Sequence, residues 1–323
     1  MDTTPLRRRR RLPGFLAVTL ATAVIGAAGV WWAAQRAVAD IRRIPGVAEV
    51  LSPASPAVDN YLLVGSDSRA AGDPNTGETG GVSGNRSDTI IVLRIDRRDG
   101  SAALLSIPRD LYVRTEGHTG RINGAYNDGA AALVVAVQQA LRLPVHHYVE
   151  IDFSGFEGLV NSLGGVEICF GFPTRDINTG LDVPVAGCRV LDGRGALAYA
   201  RSRHYEELRD GTWVTDPTSD LGRSARQRDF VNRTLQAALS EVTANPFRAG
   251  SVVAAVTSAI SIDAALDPID AAARLRTAVG GGLTPFALPV VDRTIDGAAV
   301  LEVGDGAESV LAFFRGEGPA PGD

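Results

Sequence analysis

Short apolar runs with strand character alternate with longer helical stretches through the middle of this chain. Tyr61–Val64 is a β-branched and aromatic run that ends at Gly65-Ser66-Asp67-Ser68-Arg69. Ile90–Leu93 and Ala102–Ile107 are two further apolar runs joined by the turn Arg97-Arg98-Asp99-Gly100, which predicts a hairpin. After Arg121–Gly129 an Ala/Leu/Val-rich segment predicts a helix to about Arg142. Tyr148–Asp152 reads as a strand, Phe153–Leu163 as a helix stopped by Gly164-Gly165, and Val166–Phe170 as another strand. Helices follow around Ala196–Tyr199, from Asp220 to about Val242, over Ala265–Val279 and over Gly304–Phe314, with a strand at Pro285–Val291 and a polar loop over 205–219. Strands alternating with helices imply an α/β fold, a sheet with helices on its faces. The helix before Arg142 is apolar almost all round, which suits a core helix on the sheet or one wall of a groove for a hydrocarbon chain.

The beginning of the chain departs from this pattern. Arg7–Arg11 form a basic run, and Leu12 to Ala34 carry no charge and close on Trp31-Trp32 before Ala33-Ala34. A 23-residue helix spans roughly 35 Å, enough for a bilayer core of about 30 Å, and a basic flank marks the cytoplasmic side. The competing reading is a cleaved signal peptide, whose apolar region is usually shorter. The expected organisation is a cytoplasmic tail (1–11), a transmembrane helix (12–34), a linker with three prolines and room for a short helix (35–58), an extracellular domain (59–318) and a frayed end (319–323).

With 45% hydrophobic and 21% charged residues the chain is globular in type, and its net charge of −5 argues against a general nucleic-acid binder. All 32 basic residues are arginine, a bias that fits a GC-rich genome and discounts any argument from a single arginine's geometry. Cys169 and Cys188 are the two cysteines; in an oxidising compartment their spacing suits one disulfide worth about 3 kcal/mol. Zinc is the alternative, but none of the four histidines (118, 146, 147, 204) shows ligand spacing to them.

Candidate chemistry gathers at strand ends. An antiparallel hairpin would bring Arg86-Ser87-Asp88 beside Pro108-Arg109-Asp110. Arginine forks next to carboxylates suit a phosphate or diphosphate accompanied by a divalent cation, while surface ion pairs are the plainer reading. Arg201 and Arg203 would converge on one anion if their helix unwinds, and Arg223 and Gln227 share a face at the start of the next helix.

Six motifs taken in order resemble the LytR-CpsA-Psr family: Leu62–Arg69, Arg86–Thr89, Ser106–Asp110, Arg121–Tyr126, Leu191-Asp192-Gly193 with Ala198–Arg203, and Asp220–Arg223 with Gln227. That resemblance implies an α-β-α sandwich, a mixed sheet flanked by helices, with an apolar lipid tunnel. It implies transfer of a glycopolymer such as arabinogalactan, teichoic acid or capsule from a polyprenyl-pyrophosphate carrier to the C6 hydroxyl of N-acetylmuramic acid in peptidoglycan. Asp67 and Asp88 fall on the family's Mg²⁺-associated carboxylates, with Arg109 beside them as a catalytic candidate. Arg86, Arg109, Arg201, Arg203, Arg223 and Gln227 fall on its pyrophosphate-binding positions. The cysteine pair is also similar to that of actinobacterial members. A pyrophosphatase and a non-catalytic lipid-binding regulator are the competing functions.

Overall fold

The computed structural model describes Arg36 and residues 38–66, 87–244 and 249–322. The expected membrane span lies outside them; among the described residues no helix is long and apolar enough to cross a membrane.

Seven strands form the central sheet: β1 (Arg42–Ile44), β2 (Val58–Ser66), β3 (Ser87–Asp96), β4 (Ala102–Ser106), β5 (His147–Asp152), β6 (Ile260–Asp263) and β7 (Leu283–Ala287), in the spatial order β1-β6-β5-β2-β3-β4-β7. The hairpin is present, with β3 antiparallel to both β2 and β4. β5 runs parallel to β2, and β7 parallel to β4. The sheet is therefore mixed.

The α-helices described alongside it are α1 (Ala130–Leu141), α2 (Phe153–Ser162), α3 (Gly193–Arg201), α4 (Ser219–Ala244), α5 (Ala249–Ala259), α6 (Pro268–Gly280) and α7 (Ala307–Arg315). The strand period of two assigns alternate residues to opposite faces, and both faces are apolar. Leu62, Val64, Ile90 and Val92 meet α1 through Leu133, Val134 and Val137, and α7 through Phe314. Ile91, Leu93 and Ile95 meet α4 through Val231, Leu235 and Leu239, and α6 through Ala278 and Val279. This is a helix–sheet–helix sandwich, and α1 is a core helix within it. Truncating a fully buried residue such as Leu133 to alanine falls in a class that costs about 2–5 kcal/mol.

A smaller layer stands beside the sandwich. α2 and α3 cover Val166–Phe170 and Leu181–Val183, with Phe230 of α4 closing the core. Cys169 and Cys188 are cross-strand partners there and form a disulfide.

Three sequence expectations need correction. The segment 205–219 is not a loop: Glu206–Arg209 and Thr212–Thr215 pair as an antiparallel hairpin, turned by Asp210 and Gly211, both at positive φ. Of the segment 38–50 only Val38 and Ala39 are helical, since Arg42–Ile44 pair with β6 at the sheet edge while Ile41 and Val47 are buried. The region 285–291 holds the end of β7 and the start of a separate strand, Val290–Ile295.

The end of the sheet away from the candidate chemistry is polar, buried and closed. Asp59 accepts two hydrogen bonds from Arg97, and Arg94 pairs with Asp96 while stacking on Phe313. Next to them the Nδ1 of buried His146 accepts the backbone N–H of Asn60 at 2.9 Å, so the ring is neutral there. Burial pushes its pKa below the ordinary 6.5. Because the folded pKa lies below the unfolded one, the contribution is complete above pH 6.5 and is lost as pH falls below it. Melting temperatures followed downward through that range should show a loss that His146→Gln reduces; an unchanged profile in the variant would refute the assignment.

Candidate functional site

The candidate residues converge on one edge of the sheet. The parallel strands β2, β5 and β4 all finish there, at Ser66, Asp152 and Ser106, and antiparallel β3 begins there at Ser87. Ser66 is the register partner of both Ser87 and Asp152. The positions next in sequence, Asp67 and Asp88, therefore follow two paired serines. Asp67 and Arg86 lie outside the described residues, as does the side chain of Asp88, whose backbone belongs to β3.

Arg109 emerges just past β4. Its Nε lies 3.6 Å from Asp110, which also faces Arg121 at 3.3 Å, and its carbonyl accepts the N–H of Asn123 at 3.2 Å. The Arg121–Tyr126 motif thus brackets the segment that carries Arg109. Tyr126 from this motif donates to Glu150 on β5 at 2.5 Å. Ser66 and Tyr148 donate to the same carboxylate, both at 2.8 Å. Burial first, and then Glu150, hold the Tyr126 phenol above its usual range, so it remains a donor. Glu150 thus ties two of the motifs, through Ser66 and Tyr126, to β5 near the strand ends.

Arg201 and Arg203 are placed by α3 and by what stops it. Asp192 caps α3 by accepting the N–H of Gly195, and Gly193 donates to Asn161 of α2. A Cβ on Gly193 would overlap the backbone of Glu157, so α2 and α3 meet backbone to backbone. Gly193→Ala should therefore cost roughly 1–3 kcal/mol and displace α3 with its arginines. Thermal melts paired with activity would check this; a wild-type value of both would show that α3 does not need the close approach.

At Ser202 the backbone turns extended (φ −59, ψ 125) and the helix ends. Ser202 is fully buried, so its neighbours Arg201 and Arg203 are turned outward from it together. The buried carboxylate of Asp176 fixes this turn. Its Oδ2 accepts from Ser202 Oγ at 2.7 Å and from the N–H groups of Arg203 and His204, both at 3.0 Å. Its Oδ1 accepts from the N–H of Asn178 at 2.9 Å. Arg201 then stacks its guanidinium 4.6 Å over Phe153, the residue that follows Asp152. That contact brings the arginine turn to the same sheet edge as Ser66 and Ser87.

α4 supplies the other wall. Arg223 and Gln227 are both buried, on the face toward α3, and Gln227 donates to the carbonyl of Ala200 at 3.2 Å. Arg226 sits between them. It donates to the carbonyl of Ser202 at 2.7 Å, pairs with Asp216 at 3.0 Å and stacks 4.5 Å over Tyr205. Burial opposes ionisation of Asp216, but hydrogen bonds from Thr218 and Arg226 outweigh it and hold its carboxyl below the usual range.

The structure thus brings Arg109, Arg201, Arg203, Arg223 and Gln227 to one edge and adds Asp176, Arg226 and Glu150, which sequence reasoning missed. Asp176 had no legible signal because its partners lie 26 to 28 residues away. Arg226 was legible as part of the basic start of α4.

Residues 47–310 match the sequence model of the LytR_cpsA_psr family. The chain is 34% identical over 272 residues to the probable cell wall biosynthesis protein LcpB of Corynebacterium glutamicum, which covers 81% of this chain and 62% of that protein. It is 34% identical over 211 residues to the polyisoprenyl-teichoic acid–peptidoglycan teichoic acid transferase TagU of Enterococcus faecalis, covering 64% of this chain and 62% of the relative. The chain thus spans less than two thirds of the length of these curated relatives. Among solved structures, the LytR-Csp2A-Psr enzyme from Actinomyces oris superposes with a TM-score of 0.68 at 28% identity, over 85% of this chain and 96% of that one.

Proposed function

The chain belongs to the LytR-CpsA-Psr family, and from that premise we propose that it transfers a glycopolymer from a polyprenyl-diphosphate carrier to the C6 hydroxyl of N-acetylmuramic acid in peptidoglycan, as an Mg²⁺-dependent phosphotransferase. One observation carries the reading: an arginine turn locked by Asp176 and Arg226 stands at the sheet edge where Ser66 and Ser87, the residues just before Asp67 and Asp88 in sequence, pair. The names of the curated relatives support it, since they describe cell wall biosynthesis and teichoic acid transfer.

In this reaction the sugar hydroxyl oxygen bonds to the phosphorus that carries the glycan. The bond from that phosphorus to the bridging oxygen breaks, and the carrier leaves as a polyprenyl monophosphate. The hydroxyl proton passes to a base, and Asp67 or Asp88 is the nearest candidate where it is not committed to the metal. Negative charge grows on the phosphate oxygens along this path, so prepositioned guanidiniums lower the barrier. Arg109, Arg201, Arg203 and Arg223 would hold the diphosphate, and the closed hydrogen bonding of the 201–204 turn keeps two of them from reorganising as it reacts.

The donor chemistry fits Mg²⁺. Two carboxylates follow paired serines, and Ser87 Oγ is buried with no hydrogen-bond partner among the described residues. Asp67 and Asp88 would hold the ion, which would neutralise charge on the diphosphate. Residues 12–34 would anchor the chain as a single pass, with the amino terminus cytoplasmic and the domain outside.

The test is incubation of the protein with a polyprenyl-diphosphate glycan and Mg²⁺, with and without peptidoglycan. Glycan bound to peptidoglycan supports transfer. Release of the glycan at the same rate in both cases would make the protein a pyrophosphatase, and binding without turnover would make it a regulator.

A further inference from the structure

Just beyond the arginine turn the chain leaves the sheet edge as a hairpin arm whose outer face the arginine cluster does not use. Glu206–Arg209 and Thr212–Thr215 complete a four-stranded sheet in the spatial order Leu181–Val183, Thr174–Asp176, Glu206–Arg209, Thr212–Thr215. Thr174 and Asp176 are fully buried, so the strand period of two turns Arg175 to the opposite, outer face. In register across that face stand Asp182, Arg175, Glu206 and Thr215, with Trp213 two residues from Thr215 on the same side.

These side chains hold one another in place. Arg175 donates from Nε to Glu206 at 2.7 Å and lays its guanidinium 4.1 Å over the indole of Trp213. Trp213 is only partly buried and belongs to none of the three apolar cores. A large aromatic ring is therefore kept at the surface, beside a row of carboxylates, a guanidinium and a hydroxyl. An aromatic plane accepts the C–H face of a pyranose ring, and planar guanidinium and carboxylate groups accept or donate to its neighbouring hydroxyls in pairs. Because the stack already fixes Arg175 and Trp213, binding a sugar there costs little side-chain entropy.

The position of the arm selects the occupant. Glu206 lies three residues beyond Arg203, roughly 10 Å of extended chain, and Trp213 stands opposite Leu208, two residues further. Asp216, at the other foot of the arm, pairs with Arg226. A glycan joined to a diphosphate on Arg201 and Arg203 starts at this foot. We propose that the outer face carrying Arg175, Glu206 and Trp213 binds the donor's glycan, over the sugar units nearest the diphosphate, and selects which glycopolymer is accepted. The identity of that glycan rests on the transferase reading; sugar binding by the face does not.

The full chain in detergent tests this. Trp31→Phe and Trp32→Phe leave Trp213 as the sole indole, and the probe is the polysaccharide released by mild acid from the organism's own cell wall. Its addition should shift the Trp213 emission to the blue and reduce quenching by acrylamide, and peptidoglycan glycan strands should do neither. Arg175→Ala should weaken the response to polysaccharide about tenfold. In the transfer assay Trp213→Ala should raise KM for the glycan-bearing donor by a similar factor with kcat near wild type, a split that a merely structural residue would not give. Both variants should melt near wild type, since neither side chain belongs to a core; if Trp213→Ala unfolds, Arg175→Ala decides. A Trp213 response without any transfer overturns the transferase reading and leaves the sugar-binding face standing. No response to polysaccharide, an equal or greater response to peptidoglycan strands, an undiminished response in Arg175→Ala, or transfer with unchanged KM in Trp213→Ala overturns the proposal.

Discussion

Replacing Asp176 by alanine is expected to cost about 3–5 kcal/mol and to abolish transfer, although the residue belongs to none of the family motifs. The substitution leaves the buried Ser202 Oγ and the partly buried N–H groups of Arg203 and His204 without their acceptor. Each orphaned donor costs about 1–3 kcal/mol before relaxation, which places the change among the large single-site effects. Since alanine could unfold the domain, Asp176→Asn is the sharper variant. It keeps the shape, but one carboxylate oxygen becomes an NH₂ group facing a backbone N–H. The protein should fold with a loss of about 1–2 kcal/mol, and KM for the lipid-linked donor should rise because Arg201 and Arg203 are no longer held together. A variant that melts lower yet retains the wild-type KM would reduce Asp176 to a structural role.

The second large effect concerns Asp67 and Asp88. If they were surface ion-pair partners, Asp→Asn would cost at most about 1 kcal/mol and leave transfer near normal. As the Mg²⁺-holding pair they should behave differently, because asparagine preserves the shape but not the charge that binds the ion. Transfer should fall by orders of magnitude with the melting temperature nearly unchanged. Retention of the prenyl lipid should suffer less, since Arg109, Arg201 and Arg203 remain. Titrating Mg²⁺ against transfer for each variant is the check; wild-type rates in both at sub-saturating Mg²⁺ would remove these residues from the metal site.

What could be read from the sequence was what short-range physics encodes. The β3–β4 hairpin followed from apolar runs joined by Arg97–Gly100, and the shared face of Arg223 and Gln227 followed from a spacing of four. The break at Ser202 was foreseen as a condition for Arg201 and Arg203 to converge, and the backbone does turn extended there. The cause of that break was hidden, because it resides in Asp176, across the smaller layer. Glu150 was hidden similarly: a lone carboxylate in a strand gives no hint that Ser66, Tyr126 and Tyr148 will meet on it. The hairpin at 206–215 was a different failure. Its Asp210-Gly211 pair is a strong turn signal and Thr212–Thr215 is β-branched and aromatic, but the charged first arm, Glu206–Arg209, hides the strand pattern.

The central claim is that the arginine edge directs transfer of a phosphoglycan. A donor labelled at the phosphate adjoining the sugar measures this most directly. After incubation with peptidoglycan and Mg²⁺, the label should be bound to muramic acid together with the glycan, and Arg201→Ala/Arg203→Ala should lose that product. Label released as inorganic phosphate, or glycan bound to peptidoglycan without its phosphate, would contradict the account.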